Sequence, residues 1–193
     1  MAASFFRKAI IIGILSLCPV VAQQTAPAVQ AYAVDEAYQV YSVLLAHEEA
    51  AELGKDVLLI REETERGSED LRQCIAPQAA TSFEEALKAY SVANERVWRL
   101  ERRFVTDFSY ELISSAAIKA YMHDGWDSFY QRFPQAGGYI VFSAVGFNAD
   151  RTMAVVYSGT DCGTMCGRWR FHLLRKVDGR WKEVPDVTCV TVS

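Results

Sequence analysis

The sequence lacks the features of a protein that crosses a membrane or binds a nucleic acid. The apolar run near its start, Ala9–Leu17, is shorter than the roughly 20 apolar residues that a transmembrane helix needs. Acidic side chains outnumber basic ones, 24 against 20, so the chain of 193 residues has a net charge of −4. Nucleic acids and anionic membranes attract a basic surface, and we therefore expect neither as a partner.

The sequence also lacks the short motifs of common catalytic and cofactor sites. It contains no G-x-S-x-G, no P-loop, no G-x-G-x-x-G and no H-E-x-x-H. Its three histidines, His47, His123 and His172, have neither the spacing of metal ligands nor a cysteine nearby. We expect no cofactor and no metal, and we expect His172 at a surface or half-buried position of a strand.

The first residues predict a secretory signal peptide over 1–22. Two basic residues and a short apolar run precede the small-residue site Val20-x-Ala22, where cleavage is predicted. A lipoprotein anchored through Cys18 is the alternative, and it is less favoured because Leu17 stands where a small residue is expected. Cleavage leaves 18 basic and 24 acidic side chains, a net charge of −6. We predict export to the periplasm or the medium, without stable membrane insertion.

Four cysteines stay in the exported chain, and an even number in an oxidising compartment indicates disulfides. Four cysteines allow three connectivities. We prefer Cys162–Cys166, which closes one tight loop, together with Cys74–Cys189. A redox pair or two zinc ligands at Cys162 and Cys166 are less favoured, because the spacing differs from C-x-x-C and no other ligand pair is evident.

The C-terminal third predicts an antiparallel β-meander. Gly138–Phe147 is apolar on both of its faces, as in a strand that is covered on both sides. Asp178-Gly179 is the strongest hairpin signal, because a type I′ turn needs a positive φ at both central residues. The predicted strands are Gly138–Phe147, Thr152–Gly159, Arg168–Val177, Arg180–Val184 and a short segment at Val187–Val192.

The residues before the meander predict helices packed against one face of the sheet, and hence an α+β fold. Residues 23–34 predict a flexible leader and 35–193 a single domain. Asp35 can cap a helix that ends near Gly54. Asp56–Arg61 predicts a strand able to join the sheet, and the charged residues 62–70 predict a solvated loop.

The strongest helix signal begins with Thr81 and Ser82, each followed three residues later by a glutamate, as in a capping box. Behind them an apolar stripe predicts one continuous helix that ends in a group of arginines. The stripe consists of Phe83, Leu87, Tyr90, Ala93, Val97, Leu100 and Phe104, and the arginines are Arg99, Arg102 and Arg103. Shorter helices are predicted at 114–121 and 124–134, the second stopped by Pro134.

One segment has the parts of an acid–base site. His123, Asp124 and Asp127 place an imidazole and two carboxylates within five residues. Neighbours in sequence need not converge in space, and a turn with a capping aspartate uses the same residue types, so the structural interpretation is preferred.

The segments 126–134 (WDSFYQRFP), 138–148 (GYIVFSAVGFN), 154–167 (AVVYSGTDCGTMCG) and 173–182 (LLRKVDGRWK) resemble a group of uncharacterised exported bacterial proteins. That group shares W-x-x-F, F-S-x-V-G-F-N, a C-x₃-C hairpin and a closing G-x-W-K strand. The resemblance implies bacterial origin and export, and it implies no activity. The tryptophan usual near the C-terminus is replaced here within Thr188–Val190.

Together these features predict an exported module that binds a protein or a small ligand without catalysis. The stapled hairpin, the aromatic content and the missing motifs favour it, because exposed loops on a rigid sheet are the usual place for recognition. A hydrolase that works through His123, Asp124 or Asp127 is the alternative. A thiol-redox protein is a third, minor possibility.

Overall fold

A computed structural model describes residues 28–46, 56–67, 71–185 and 190–192. The helices are α1 (Asp35–Leu44), α2 (Leu71–Cys74), α3 (Pro77–Ser82), α4 (Glu84–Ala93), α5 (Ser115–Tyr121) and α6 (Trp126–Arg132). The strands are β1 (Val57–Arg61), β2 (Ser109–Ile113), β3 (Tyr139–Phe142), β4 (Gly146–Phe147), β5 (Met153–Asp161), β6 (Gly167–Val177), β7 (Arg180–Val184) and β8 (Val190–Val192). None of the helices in these ranges is long and apolar enough to cross a membrane.

All eight strands belong to one mixed sheet. Its order is β2-β1-β3-β5-β6-β7, with β4 beside β5 and β8 beside β6. β1 is parallel to both β2 and β3, and the other pairings are antiparallel. The α+β fold and the antiparallel meander of β5, β6 and β7 are confirmed, and β1 joins the sheet as predicted.

The predicted turn at Asp178-Gly179 is present, and a second turn of the meander is built around Asn148. Asp178 and Gly179 both have positive φ, 50° and 75°. Asn148 Oδ1 accepts hydrogen bonds from the N–H groups of Thr152 (2.9 Å) and Met153 (2.8 Å). An asparagine that binds its own backbone in this way fixes the start of the hairpin.

Helices cover both faces of the sheet, so the prediction of one covered face is wrong. On one face α1 packs against the side of β5 that carries Ala154 and Val156. On the other face α4 packs against Val155 and Tyr157. Successive side chains of a strand point to opposite faces, and β5 is apolar at both sets of positions. The strand therefore needs cover on each side.

The prediction of one long helix from Thr81 to Phe104 is wrong at both of its ends. The hydroxyls of Thr81 and Ser82 donate to the carbonyls of Pro77 and Gln78, each at 3.1 Å, so they lie inside α3 and cap nothing. A break at Phe83 separates α3 from α4.

Asn94 ends α4 well before the apolar stripe ends. Its Nδ2 donates to the carbonyls of Tyr90 and Ala144, each at 2.9 Å, and its Oδ1 accepts from the Ala144 N–H at 2.9 Å. The chain then runs on without helix, with Leu100 and Phe104 buried in the core.

The three arginines predicted at the end of that helix lie on this extended segment. Arg99 forms isolated β-bridges with Ala31 and Glu63, and Arg103 forms an ion pair with Asp35. Asp35 is itself the first residue of α1, where Val34 occupies the N-cap position, so the predicted capping role is wrong. The predicted end of this helix at Gly54 lies outside the described residues.

The charged loop predicted at 62–70 is packed against the domain over 62–67, and 68–70 lie outside the described residues. Thr64 is buried, and Glu63 Oε2 accepts hydrogen bonds from the N–H (2.7 Å) and Oγ (2.8 Å) of Ser115. Gly67 is buried as well, and a Cβ on it would lie 2.5 Å from the Phe171 ring. The prediction of a solvated loop is therefore wrong for Thr64 and Gly67, whereas the charged side chains of this part stay partly or fully exposed.

Residues 143–145, between β3 and β4, interrupt the strand. Three side chains form hydrogen bonds with the backbone N–H and carbonyl groups of this segment. Tyr41 donates to the Ser143 carbonyl at 2.7 Å, and Asn94 binds both backbone groups of Ala144. The hydroxyl of Tyr32 accepts from the Val145 N–H at 2.9 Å. Buried backbone groups need such partners, so the break is specified by residues far away in sequence.

Candidate ligand-binding groove

A groove of about 740 Å³ lies between residues 30–34 and the side of α4 that faces away from the sheet. This volume is within the range of small-molecule sites. The lining residues are Gln30, Ala31, Tyr32, Ala33, Val34, Lys88, Ala89, Val92, Ala93, Trp98, Val145, Phe147, Asn148 and Arg151.

One wall of the groove is the segment expected to be a flexible leader. The N–H of Tyr32 donates to the Arg99 carbonyl, and the N–H of Arg99 donates to the Gln30 carbonyl, both at 2.8 Å. The Tyr32 side chain is buried, and burial raises its pKa to about 12, although the hydrogen bond with Val145 acts in the opposite direction. The hydroxyl therefore stays protonated at neutral pH and holds this wall to the segment between β3 and β4.

The opposite wall is the outer side of α4. Leu87 and Tyr90 are buried toward the sheet, whereas Lys88, Ala89 and Val92 lie on the groove side, three and four residues apart. Val92 is 65% exposed, which is high for a large apolar side chain. The helix thus has an apolar stripe for the core and, on the groove side, the partly covered Ala89 and the exposed Val92.

The charges on the groove are of one sign. Its lining includes Lys88 and Arg151 and no acidic residue, although the whole chain has a net charge of −4. The Arg151 guanidinium lies over the Phe147 ring, 5.9 Å from its centroid. The rim of this groove is therefore positive while its walls are apolar.

The described residues also line two smaller cavities. One, of about 410 Å³, lies beside α1 and includes Tyr38 and Arg103, and the other, of about 290 Å³, lies beside α6 and includes Phe133 and Pro134. Each offers less room than the groove.

The structure brings two of the predicted acid–base residues together. His123 Nε2 lies 2.6 Å from Asp124 Oδ2, and His123 Nδ1 lies 3.1 Å from the Ala120 carbonyl. Both side chains are exposed, 66% and 72%, and neither lines any of the three cavities. Asp127 lies on the surface, in the first turn of α6.

Another histidine, His172, contacts two polar side chains in the sheet. His172 on β6 is fully buried, so the expectation of a surface or half-buried position is wrong. Its Nε2 lies 2.7 Å from Ser158 Oγ on β5, and its Nδ1 lies 2.7 Å from Glu183 Oε1 on β7. A carboxylate only accepts hydrogen bonds, so Nδ1 carries a proton and donates a hydrogen bond to Glu183.

A serine next to a histidine that is next to a carboxylate is also the arrangement of a catalytic triad. In a triad the serine is the nucleophile, the histidine is its base and the carboxylate orients the histidine. A nucleophile must be reachable by its substrate, however, and both Ser158 and His172 have 0% exposure. We interpret the three residues as a polar link that ties β5, β6 and β7 together, with Ser158 and His172 buried and the Glu183 side chain 32% exposed at its outer end. The sequence signal was a polar residue on each of three neighbouring strands.

The cysteine-rich hairpin between β5 and β6 is held at its base. The sulfur atoms of Cys162 and Cys166 lie 2.05 Å apart, at disulfide distance, which agrees with the expected pair. The Tyr130 hydroxyl on α6 lies 2.7 Å from the Cys162 carbonyl oxygen and 3.0 Å from the Gly137 carbonyl oxygen, and its single proton is shared between them. The tip presents Met165, which is 88% exposed.

The remaining predicted pair involves Cys74 and Cys189. Cys74, at the end of α2, is buried and disulfide-bonded. Cys189 lies outside the described residues, so the Cys74–Cys189 connection stays a prediction. His47 lies outside them as well.

A second ionisable cluster lies next to the hairpin. Burial raises the pKa of Asp161, and the nearby Glu65 adds to this, while a hydrogen bond from Tyr139 and the charge of Arg61 act against it. Arg61 Nη1 lies 2.5 Å from Glu65 Oε2. These groups are linked to one another, and within the described ranges no set of histidine, cysteine and carboxylate side chains is placed to hold a metal.

Comparisons with protein-family models, curated proteins and solved structures found no match for this chain. The resemblance to the group of exported bacterial proteins therefore stays a prediction.

Proposed function

We propose that this protein is an exported, non-catalytic binding module whose ligand site is the groove between residues 30–34 and α4. The observation that carries the proposal is Val92, a large apolar side chain that lines the groove and is 65% exposed. Exposed apolar surface costs free energy in water, and a ligand that covers it gains that free energy back.

The construction of the groove supports a binding role. One wall is anchored by the buried hydroxyl of Tyr32, and the other is a helix packed on the sheet through Leu87 and Tyr90. Two walls that are fixed before a ligand arrives reduce the entropy lost on binding.

Two features support export. The residues 1–22 have the parts of a signal peptide, and Cys162 and Cys166 lie at disulfide distance. Disulfides persist in oxidising compartments outside the cytoplasm.

The hydrolase alternative has one observation in its favour, the contact between His123 and Asp124. A base must also meet a substrate that is held in place, and this pair lies on an exposed turn outside the three cavities. Asp124→Asn keeps the shape and removes the charge. We expect no hydrolysis of a panel of simple ester and amide substrates by either protein, and turnover that this variant abolishes would favour the alternative.

A neutral, fluorescent apolar probe tests the groove directly. We expect N-phenyl-1-naphthylamine to brighten on binding to the wild-type protein, and Val92→Asp to weaken that binding by about 10-fold or more because it places a charge in the apolar wall. Val97→Asp is the matched control, since Val97 is 52% exposed and lies outside the groove lining.

Two results would refute the proposed site. The first is the lack of any probe binding by the folded wild-type protein. The second is equal weakening by Val92→Asp and Val97→Asp, which would mean that the probe binds elsewhere.

A further inference from the structure

The chemistry of the groove identifies a class of ligand, and this inference rests on the proposed function. The lining separates into an apolar part and a basic part. Val34, Ala89, Val92 and Phe147 belong to the first, and the basic residues are Lys88 and Arg151.

Each of the two basic groups has acidic residues in its neighbourhood. Lys88 Nζ lies 2.8 Å from Glu84 Oε1, but both side chains are more than half exposed, so water and salt screen this pair. Arg151 lies two residues after Ala149, whose N–H donates to Glu85 Oε2 at 3.3 Å, and the charge of Arg151 also acts on Glu36. None of these glutamates lines the groove, so a ligand inside it meets the positive charges first.

We propose that the groove binds a single-chain amphiphile whose anionic head lies at Lys88 and Arg151 and whose alkyl chain lies along Ala89, Val92 and Phe147. Two features of the groove favour this ligand. The chain covers the exposed valine, and the head finds positive charge where the rest of the surface is on balance negative. A guanidinium fork also matches the two oxygens of a carboxylate.

The size of the groove fits an extended or gently bent chain. About 740 Å³ accommodates a fatty carboxylate of medium length with room to spare. Each methylene that the groove buries completely is expected to strengthen binding about 4-fold. A series from octanoate to dodecanoate, below the micellar concentration, therefore tests the chain end of the site separately from the head.

The head is tested by calorimetry with decanoate and decyltrimethylammonium, which share a chain and differ in charge. We expect the wild-type protein to bind decanoate at least 10-fold more tightly. A Lys88→Gln/Arg151→Gln double variant should lose this preference and bind the two amphiphiles within about 2-fold. Arg180→Gln is the control, because this residue is exposed on β7 outside the groove.

A measurement without any variant supports the same test. The preference for decanoate should fall as the salt concentration rises, because the head contacts are exposed to screening.

The outcomes separate this inference from the function on which it rests. If the naphthylamine probe binds but decanoate and the cationic amphiphile bind equally, the anionic class is wrong and the groove remains a binding site. If the double variant keeps the wild-type preference, the head does not lie at these two residues. If neither the probe nor any amphiphile binds, both proposals are overturned.

Discussion

Gly146 on β4 lies directly against the backbone of Tyr90 on α4. A Cβ built on Gly146 would stand 2.2 Å from the Tyr90 nitrogen and 2.4 Å from the Ala86 carbonyl oxygen. The helix therefore rests on the strand at a point where only a glycine leaves room.

Gly146→Ala is expected to push α4 away from the sheet. We expect the free energy of unfolding to fall by about 2 kcal/mol or more, as when a tightly packed core receives an extra methyl group. Chemical denaturation measures this directly. Gly179→Ala is the control: its Cβ meets nothing within 4 Å, so only the positive φ of 75° adds a cost, about 1 kcal/mol. Equal losses for the two variants would contradict the close contact.

Glu36→Gln is expected to destabilise the protein at pH 7 and to have little effect in acid. Burial raises the pKa of Glu36, but hydrogen bonds from Lys176 and from Trp181 Nε1 (2.8 Å) outweigh it, and the net shift is downward. A lowered pKa in the folded state gives stability that is complete above the ordinary glutamate pKa and is lost as the pH falls through the lowered one.

We expect a loss of about 1–2 kcal/mol at pH 7 from urea titrations, because the hydrogen bonds lose their charge assistance. Glu84→Gln, whose partner Lys88 is highly exposed, should change stability by no more than about 0.5 kcal/mol. A Glu36→Gln effect that is the same at pH 7 and in acid would show that the carboxylate charge contributes nothing.

Asp161→Asn is expected to act with the opposite sign. Burial raises the pKa of this carboxyl, so the folded state favours its protonated form. The contribution to stability is complete below the unfolded-state pKa and is lost as the pH rises through the folded-state value. The melting temperature of the variant should therefore exceed that of the wild type at pH 7, and the difference should shrink on acidification.

Asp150→Asn, at an exposed turn, provides the comparison for a carboxylate in water. A melting temperature of Asp161→Asn below that of the wild type at pH 7 would mean that the attraction of Arg61 outweighs burial.

Ser158→Ala is expected to weaken the fold without removing any reactivity. The buried His172 Nε2 loses the Ser158 hydroxyl 2.7 Å away, and we expect a cost of about 1–2 kcal/mol. Ser91→Ala, which removes a hydroxyl at the surface of α4, should cost less than about 0.5 kcal/mol. A fluorophosphonate probe should not label the wild-type protein, and labelling at Ser158 would overturn the structural interpretation.

The Cys162→Ser/Cys166→Ser variant is expected to loosen the hairpin whose tip carries Met165. A loop this short contributes about 2 kcal/mol in the chain-entropy treatment of disulfides. Calorimetric melting of the variant against the oxidised wild type measures the loss. Export predicts in addition that the native, oxidised protein has no thiol that reacts with a thiol reagent after unfolding, and four reactive thiols would contradict that prediction.

The parts of the fold that the sequence predicts are those whose contacts are local. Asp178 and Gly179 specify their hairpin within two residues, and Ser114 caps α5 through the N–H of Ala117, three residues later. The end of α4 could not be predicted in this way. Asn94 stops the helix by binding Ala144, 50 residues further on, while the apolar spacing continues as if the helix did.

The groove could not be predicted from the sequence for a similar reason. The helical pattern alone does not tell whether Val92 lies on the surface or in the core. The groove exists only because residues 30–34 lie opposite Val92. His172 was misjudged because strand alternation alone does not reveal that Ser158 and Glu183 lie on either side of it. The contact between His123 and Asp124 was not predicted either, because neighbours in sequence need not converge in space.

The two hydrogen bonds between Arg99 and residues 30–32, together with the Tyr32 hydroxyl, hold one wall of the groove in position. The other wall, α4, is held by the core, so the open groove keeps its shape between one guest and the next. Replacement of Tyr32 by phenylalanine removes the anchoring hydroxyl, and residence times of a bound guest should therefore shorten.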